Sequence, residues 1–192
     1  EDRYLVPVAE SGEGPLFLAL NRNKKSLTLN PMKPQGREIV ENLVKTADIV
    51  IANLPQPTLE AMGIDYDSLR AIKPDIILTT VTAYGNGGPY SERVGFDGVA
   101  QALAGATYMG GRPGDPMKSF VPFADFGTAT MAAFGTLSAL IERNKTGNGQ
   151  LVEAALTRTV MAFNIALLAE EAIKSIDRPS YGNRGYSAGP SD

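Results

Sequence analysis

The 192-residue chain contains no cysteine, no histidine and no tryptophan. Without cysteine it can form no disulfide, thiol nucleophile or thiolate metal site, a composition that fits a reducing cytoplasm. Without histidine it can build neither a Ser-His-Asp or Cys-His catalyst nor a histidine zinc site. Any catalysis by these residues must therefore use carboxylates, lysines, tyrosines or backbone dipoles.

The chain also lacks a strong excess of either charge. Its 18 basic and 21 acidic residues give a net charge of −3, so neither a general basic surface nor an interaction tail is predicted. No apolar run has the length of a membrane span, and no signal peptide opens the chain. We expect a soluble, cytoplasmic protein with no nucleic-acid or membrane partner. One local basic group comprises Arg22, Lys24, Lys25, Lys33 and Arg37.

The order of apolar segments indicates an α/β fold. The length and the 43% hydrophobic content suit one compact domain. The stretch "KSLTLN" predicts a short strand, and "KPQGREIVENLVKTA" predicts a helix. "DIVIANL" predicts a strand buried on both faces, helical turns follow, and "DIILTTVTAYG" predicts a second buried strand. This alternation favours a doubly wound parallel sheet with flanking helices.

The second half of the chain begins with the glycine-rich stretch "GNGGPYSERVG". Its spacing matches no phosphate-loop motif, which favours a plain turn. "FDGVAQALAGA" predicts a helix, "TYMGGRPGDPMKSFV" is irregular, "LVEAAL" predicts a strand, and "TRTVMAFNIALLAEEAIKSI" predicts a helix with Thr157 as a possible N-cap. A long helix over residues 126–143, ended by "KTGNGQ", is predicted from the helical spacing of Thr130, Ala133, Phe134, Leu137, Leu140 and Ile141.

A lone carboxylate stands in the stretch "PFADFGTATMAAFG", residues 122–135. Asp125 is the only ionisable residue between Lys118 and Glu142. It is either an N-cap, stabilised by about 0.3–1 kcal/mol at the start of the helix, or a nucleophile that accepts an acyl or phosphoryl group. Asp97, at the start of "FDGVAQALAG", is also a candidate cap. The flanks that would exclude water from a nucleophile are Phe123, Ala124, Phe126 and Gly127.

Five ordered blocks together resemble the class III CoA-transferase family, which includes formyl-CoA transferase, carnitine CoA-transferase and 2-methylacyl-CoA racemase. The blocks read "LNRNKKSLTLN", "GREIVENLVKTADIVIANL", "LRAIKPDIILTTVTAYGNGGPY", "GFDGVAQALAG" and "FADFGTATMAAFGTLSALIERNKTGNGQLVEAAL". The resemblance implies a Rossmann-like portion of a large domain in residues 1–155, carrying the CoA site and Asp125. Residues 156–192 would be a helix and linker toward a small domain, in an interlocked homodimer.

The start and end of the sequence also lead us to expect a fragment. It begins at Glu1 without methionine and stops in "YGNRGYSAGPSD", which contains no closing element. We expect it to cover roughly half of a typical family member.

The resemblance places the family nucleophile on Asp125. The mechanism that it implies begins with attack of this carboxylate on the thioester of an acyl-CoA, which gives a mixed aspartyl anhydride. A small carboxylic acid then receives the CoA by way of an aspartyl-CoA thioester. Coenzyme A and acyl-CoA are thus expected as substrates, and no metal is expected.

The resemblance also implies CoA-contacting positions along the first half of the chain. Met32 stands where a lysine is often found, with Lys33 beside it, and Ala61 stands where some relatives have arginine. The phosphates would then be held by Lys24, Lys25 or groups outside the sequence. The full implied set is Leu29, Met32, Lys33, Asn53, Leu54, Ala61, Met62, Val94, Phe96 and Asp97, the last three bordering the pantetheine and the thioester.

Two alternatives to a transferase remain open. A racemase needs a base on each face of the substrate's α-carbon, and racemases of this family carry histidine where this chain has Phe96, so transfer is favoured. The departure of "NLPQP" from the family's "NFRPG"-like loop also permits a CoA-binding module without catalysis. An NAD-dependent Rossmann enzyme is disfavoured because the dinucleotide fingerprint is absent.

Overall fold

The computed structural model describes residues 2–176, 178–182 and 184. The chain forms two compact units, Glu1–Asn30 and Pro31–Asp192. The first contains a 3-10 helix, Asp2–Tyr4, and helix α1, Pro15–Leu20. Residues 24–30 are neither helix nor strand, so the strand predicted in "KSLTLN" is wrong. Of the predicted linker 156–192, residues 177, 183 and 185–192 lie outside the described residues.

The second unit is built on a three-stranded sheet. Strands β1 (Ile49–Ala52), β2 (Ile77–Thr82) and β3 (Leu151–Ala155) are parallel and lie in the order β1-β2-β3. Ile49 is aligned with Ile77, and Leu78 with Leu151. The prediction of an α/β fold with a parallel sheet and flanking helices is confirmed.

The two strands predicted as fully buried differ in the structure. Residues 77–80 of β2 are buried, because β2 lies between the other two strands. Ile51 of β1 is 71% exposed, because β1 lies at an edge of the described sheet. The continuous apolar sequence of "DIVIANL" predicted the strand correctly and its burial incorrectly.

Eight helices accompany the sheet within the described part of this unit. The sequence predicted one helix over residues 157–176, but two helices form there, separated at Asn164. The Nδ2 of Asn164 donates a hydrogen bond to the Ala104 carbonyl at 3.0 Å. Thr157 lies inside a helix and donates to the Ala83 carbonyl instead of capping. The helices are α2 (Pro34–Val44), α3 (Gln56–Met62), α4 (Tyr66–Ile72), α5 (Asp97–Leu103), α6 (Ala106–Gly110), α7 (Phe123–Thr146), α8 (Leu156–Phe163) and α9 (Ile165–Lys174).

The sheet separates α2 and α4 from α7. Successive side chains of a strand point to opposite faces. Accordingly, Leu78 packs in a cluster with Val44 and Leu69, whereas the Thr79 hydroxyl lies 2.6 Å from that of Thr136 on α7. No helix in the described residues is long and apolar enough to span a bilayer.

Helix α7 packs through small side chains. Gly135 lies so close to the sheet that an added Cβ would stand 2.9 Å from Cγ1 of Val152. The large residues whose spacing predicted this helix lie elsewhere, and Phe134 is 71% exposed. The helix was thus predicted correctly, but the residues that it buries are Ala124, Thr128, Ala132, Thr136 and Ala139.

A second core cluster lies beyond the carboxyl end of β2 and joins α5, α7 and α8. Tyr84 and Phe123 pack against it. Because this cluster includes Ala124, it holds the first turn of α7 next to α5 and α8. Its buried members are Ala83, Ala100, Ala104, Ala124, Leu156 and Val160.

Candidate active site

Asp125 is the third residue of α7, not its N-cap. The N-cap is Pro122, which makes no side-chain capping hydrogen bond. The interpretation of Asp125 as the cap is therefore wrong, since the helix begins two residues earlier, at Phe123. The first N–H groups of the helix must find another acceptor.

Asp97 provides that acceptor from α5. Its Oδ2 accepts hydrogen bonds from the backbone N–H of Ala124 at 2.9 Å and of Asp125 at 3.3 Å. The side chain is buried, with 7% of Asp97 exposed. The prediction that Asp97 caps its own helix is wrong, because the N-cap of α5 is Phe96 and no side chain caps that helix. Asp97 instead caps α7, and the first N–H group that it binds lies 27 residues further along the chain.

Gln101, one turn after Asp97 on α5, supports this cap. It is completely buried, and its Nε2 donates to Oδ1 of Asp97. Its Oε1 accepts from the backbone N–H of Ser119 at 2.8 Å. The residues leading into α7 and the first turn of α7 are thus joined through two buried side chains of one helix.

Gly127 fixes the other side of this first turn. A Cβ at this position would stand 2.8 Å from Cε2 of Phe163 and 3.4 Å from Cγ2 of Thr159, both on α8. Ala124 is buried between the helices, and its carbonyl accepts from the Thr128 hydroxyl at 2.6 Å. The small residues of "FADFG" therefore bring α5 and α8 against the turn that carries Asp125.

The Asp125 carboxyl itself is left free. Its residue is exposed, and no residue in 2–176, 178–182 or 184 donates a hydrogen bond to this carboxyl. Partial desolvation by the surrounding protein raises its pKa, and the negative charge of Asp97 raises it further. A carboxylate with a raised pKa and no bound partner is suited to nucleophilic attack.

The predicted aromatic flanks do not enclose Asp125 within the described chain. Phe123 packs into the core cluster, whereas Phe126 is half exposed. Val94 and Phe96, just before Asp97, are 71% and 73% exposed. The carboxyl therefore lies at an open, partly apolar surface.

The glycine-rich loop after β2 is a fixed turn at the carboxyl end of the sheet. Gly85 donates its N–H to Oγ1 of Thr82 at 2.9 Å and has a φ of +78°, a conformation that favours glycine. The Asn86 side chain donates to Glu153 on β3. The Arg158 guanidinium fills the space beside Gly85, where a Cβ would stand 2.7 Å from its Cζ.

The implied CoA positions are only partly brought together. Asn53 is exposed after β1, and Leu54 is half-buried beside it. Leu29 belongs to the first unit, whereas the other nine positions belong to the second. Val94, Phe96 and Asp97 lie at the start of α5, next to the turn that carries Asp125.

Arg37 links two of the implied CoA segments, a role that sequence reasoning missed. Its Nη2 donates to the Ala61 carbonyl at 2.6 Å, and its guanidinium occupies the space beside Gly63. It thus joins the start of α2 to the end of α3, where Ala61 and Met62 lie. A surface depression of about 390 Å³ is lined by Met32, Lys33, Pro34, Arg37, Glu38 and Glu41.

The sequence of this chain is similar to those of known CoA-transferases. The chain is 35% identical over 179 residues to human succinyl-CoA:glutarate CoA-transferase, a match that covers 93% of the chain and 41% of the relative. It is 38% identical over 160 residues to the succinyl-CoA–L-malate CoA-transferase beta subunit of Chloroflexus aurantiacus, covering 82% of the chain and 39% of the relative. The chain spans about two fifths of the length of these curated relatives.

A solved structure shares the fold. A CAIB/BAIF family protein from Brucella suis superposes with a TM-score of 0.84 at 35% identity, over 93% of this chain and 47% of that protein. The model of CoA-transferase family III matches residues 1–192. The resemblance found in the five sequence blocks is confirmed, and the chain belongs to CoA-transferase family III.

Proposed function

We propose that Asp125 is the nucleophile of a reaction that moves CoA from an acyl-CoA to a carboxylic acid. The observation that supports this most directly is the state of its carboxyl. It is accessible, has a raised pKa and accepts no hydrogen bond from the described residues. The backbone that carries it is fixed by Asp97 and by the packing of Gly127 against α8.

In the proposed first step, a carboxylate oxygen of Asp125 attacks the thioester carbonyl. The carbon–sulfur bond breaks, CoA leaves as a thiolate, and an acyl-aspartyl anhydride remains. The thiolate then attacks the aspartyl carbonyl and releases the donor acid, which leaves an aspartyl-CoA thioester. The acceptor carboxylate attacks this thioester, which expels the CoA thiolate and gives a second anhydride between Asp125 and the acceptor. The thiolate then attacks the acceptor's acyl carbon, which forms the new acyl-CoA and releases Asp125 as a carboxylate, so the energy of the thioester is retained.

The names of the relatives support the proposed substrate class. They are described as acting with succinyl-CoA together with glutarate or L-malate, all of which are small carboxylic acids or their thioesters. We infer that this chain also serves an acyl-CoA and a small carboxylic acid. Its phenylalanine at position 96, where family racemases carry histidine, favours transfer over racemisation.

For CoA binding, we infer that Lys33 and Arg37 approach the phosphates. Both line the depression at the start of α2, and Arg37 brings a guanidinium to Ala61, the position at which some relatives have arginine. In the full-length protein, Arg37→Gln should raise the KM for acyl-CoA about tenfold and leave kcat nearly unchanged. Arg70→Gln, on the exposed side of α4, is the matched control.

We also infer an interlocked homodimer in the cytoplasm. Large apolar side chains of α7 are exposed in the single chain, among them Phe134, Leu137 and Ile141, and exposed apolar surface of this kind marks contact sites. The lack of cysteine fits the reducing compartment. Light scattering on the full-length protein should give twice the mass of one chain, and a monomer would contradict the inference.

Chemical trapping tests the nucleophile. Full-length protein is mixed with an acyl-CoA and quenched with hydroxylamine, which converts an activated aspartyl group to a hydroxamate detectable by peptide mass spectrometry. We expect the modification on Asp125 alone and its absence in Asp125→Asn. CoA binding without a trapped adduct would instead favour a binding module, the alternative permitted by the "NLPQP" loop.

A further inference from the structure

We propose that Asp97, oriented by Gln101, is a positioning residue that holds Asp125 ready for acyl transfer, an inference that rests on Asp125 being the nucleophile. The two side chains form a buried hydrogen-bond relay from the Ser119 N–H to the first turn of α7. None of these bonds involves the Asp125 carboxyl, so the relay acts on the reacting group through the backbone that carries it.

The backbone N–H donors at the two ends of the relay determine the direction of each hydrogen bond in it. The backbone N–H of Ser119 can only donate, so the oxygen of Gln101 must face it. The amide nitrogen of Gln101 then faces Asp97 as a donor. On the other side, Asp97 meets two more donors, the backbone N–H groups of Ala124 and Asp125. Residue 97 therefore needs acceptors on both sides, which a carboxylate supplies and an asparagine does not.

This arrangement has a consequence for Asp125. A carboxylate in the first turn of a helix is normally stabilised by the free N–H groups there. Here Asp97 already accepts from two of them, and the Asp125 side chain is left without a described partner. The relay thus fixes the backbone of Asp125 while keeping its carboxylate available to a substrate.

A charge-relocating pair of substitutions tests the relay in the full-length protein. In Asp97→Asn, one buried donor loses its acceptor. In Gln101→Glu, two carboxylates face each other. When both substitutions are combined, the amide oxygen introduced at position 97 accepts from α7, and the amide nitrogen beside it donates to the carboxylate introduced at position 101. That carboxylate also accepts from the Ser119 N–H. Every hydrogen bond is then restored, and the negative charge has moved one turn away from α7.

We expect each single variant to unfold at a lower temperature and to form acyl-Asp125 about tenfold or more slowly, because a displaced nucleophile loses its alignment. The double variant should regain most of the lost stability and most of the lost acylation rate.

The pH dependence of acylation gives a second readout. In the double variant, acylation should reach half of its maximum at lower pH than in wild type, because Asp97 is the described charge whose field acts on the Asp125 carboxyl. A loss of stability alone would not move this midpoint. Asp67→Asn, at an exposed first-turn position of α4, should behave as wild type.

If Asp125→Asn is inactive, as the proposed function requires, two results would still overturn the positioning role of Asp97. One is acylation of Asp97→Asn at the wild-type rate. The other is a double variant no more stable and no faster than the worse single variant, which would show that residues 97 and 101 are not coupled. CoA exchange by Asp125→Asn would instead overturn the proposed function, and the positioning role with it.

Discussion

The two ends of α7 both lie against aspartates from other elements, but these aspartates are in opposite surroundings. At the start, Asp97 and Asp125 lie together, and no lysine or arginine of the described residues forms an ion pair with either. At the end, the Arg143 guanidinium donates to the carbonyl of Asp48 at 3.1 Å and to its Oδ1 at 3.0 Å. Arg143 also lies 3.9 Å from Asp75, which Lys73 contacts at 2.6 Å.

As a result, the pKa of Asp75 at the end of α7 is lowered, whereas that of Asp125 at its start is raised. The hydrogen bond from Lys73 is the main cause that holds the pKa of Asp75 below its ordinary value. At the other end, desolvation and the charge of Asp97 raise the pKa of Asp125. The same residue type is thus stabilised as an anion where cations surround it and made more basic where they are absent. The end of α7 is anchored by its ion pairs, whereas its start carries a carboxylate with the properties expected of a nucleophile.

Asp125→Asn should have the largest effect in this comparison. Removing the proposed nucleophile should reduce CoA exchange by about a thousandfold or more, measured with an acyl-CoA donor and an acid acceptor in the full-length protein. Asp48→Asn, at the opposite end of α7, is the matched control and should retain exchange. Equal loss in both variants would show that the two ends do not differ in function.

Arg143→Met should affect stability and spare the chemistry. The guanidinium is mostly buried and satisfies the Asp48 carbonyl, so we expect the free energy of unfolding to fall by about 1–3 kcal/mol. Urea denaturation measures this change, while the exchange rate per folded molecule should stay the same. Lys145→Met, on the exposed side of the same helical turn, should leave stability nearly unchanged.

Gly127→Ala should disturb the packing of the first turn of α7, which carries the proposed nucleophile. Its Cβ would overlap Phe163 of α8, which we expect to lower the free energy of unfolding by about 1 kcal/mol and to slow acylation of Asp125. Phe163→Leu in the same protein should restore part of both losses by removing the ring edge. Failure of this second substitution to help would mean that the overlap is not the cause.

The rate of acylation should depend on the raised pKa of Asp125. Only the anion attacks the thioester, so the rate should rise with pH through a midpoint above 3.8, the ordinary value for this group. Single-turnover formation of the trapped adduct across a pH series gives this midpoint. A midpoint at or below 3.8 would show that the pKa of Asp125 is not raised. The two ends of α7 would then not differ in the way proposed.

The smallest expected effect is on stability as a function of pH, with opposite signs at the two ends. Because folding raises the pKa of Asp125, its stabilising contribution is present below pH 3.8 and is lost as pH rises through the raised pKa. Asp125→Asn should thus be slightly more stable than wild type at neutral pH but not in acid. For Asp75, whose pKa is lowered, Asp75→Asn should be less stable at neutral pH, and the difference should disappear in acid.

Much of this organisation is predictable from the sequence because it is local. Strands β1 and β2 follow from β-branched runs, the long helix from its apolar spacing, and Asp125 from its isolation among apolar residues. Gly147, in the left-handed conformation after α7, is the helix-ending glycine that "KTGNGQ" indicates.

The errors arise where distant parts of the chain decide the outcome. Large apolar residues predicted the helix in residues 126–143, but its small residues face the sheet, because close packing there leaves no room for larger side chains. Asp97 caps a helix that begins only at Phe123, which no local pattern reveals. The spacing of Asp97 and Gln101 by four residues on one predicted helix was the available signal for their contact.

The row of small residues along α7 has a consequence for how the protein tolerates change. The helix is about 36 Å long and packs on the sheet through small side chains. A larger side chain near the middle of α7, for example at Ala132, would displace the whole helix from the sheet and move its first turn away from α5. Sensitivity to substitution should therefore extend along the whole length of α7, well beyond the neighbours of the proposed nucleophile.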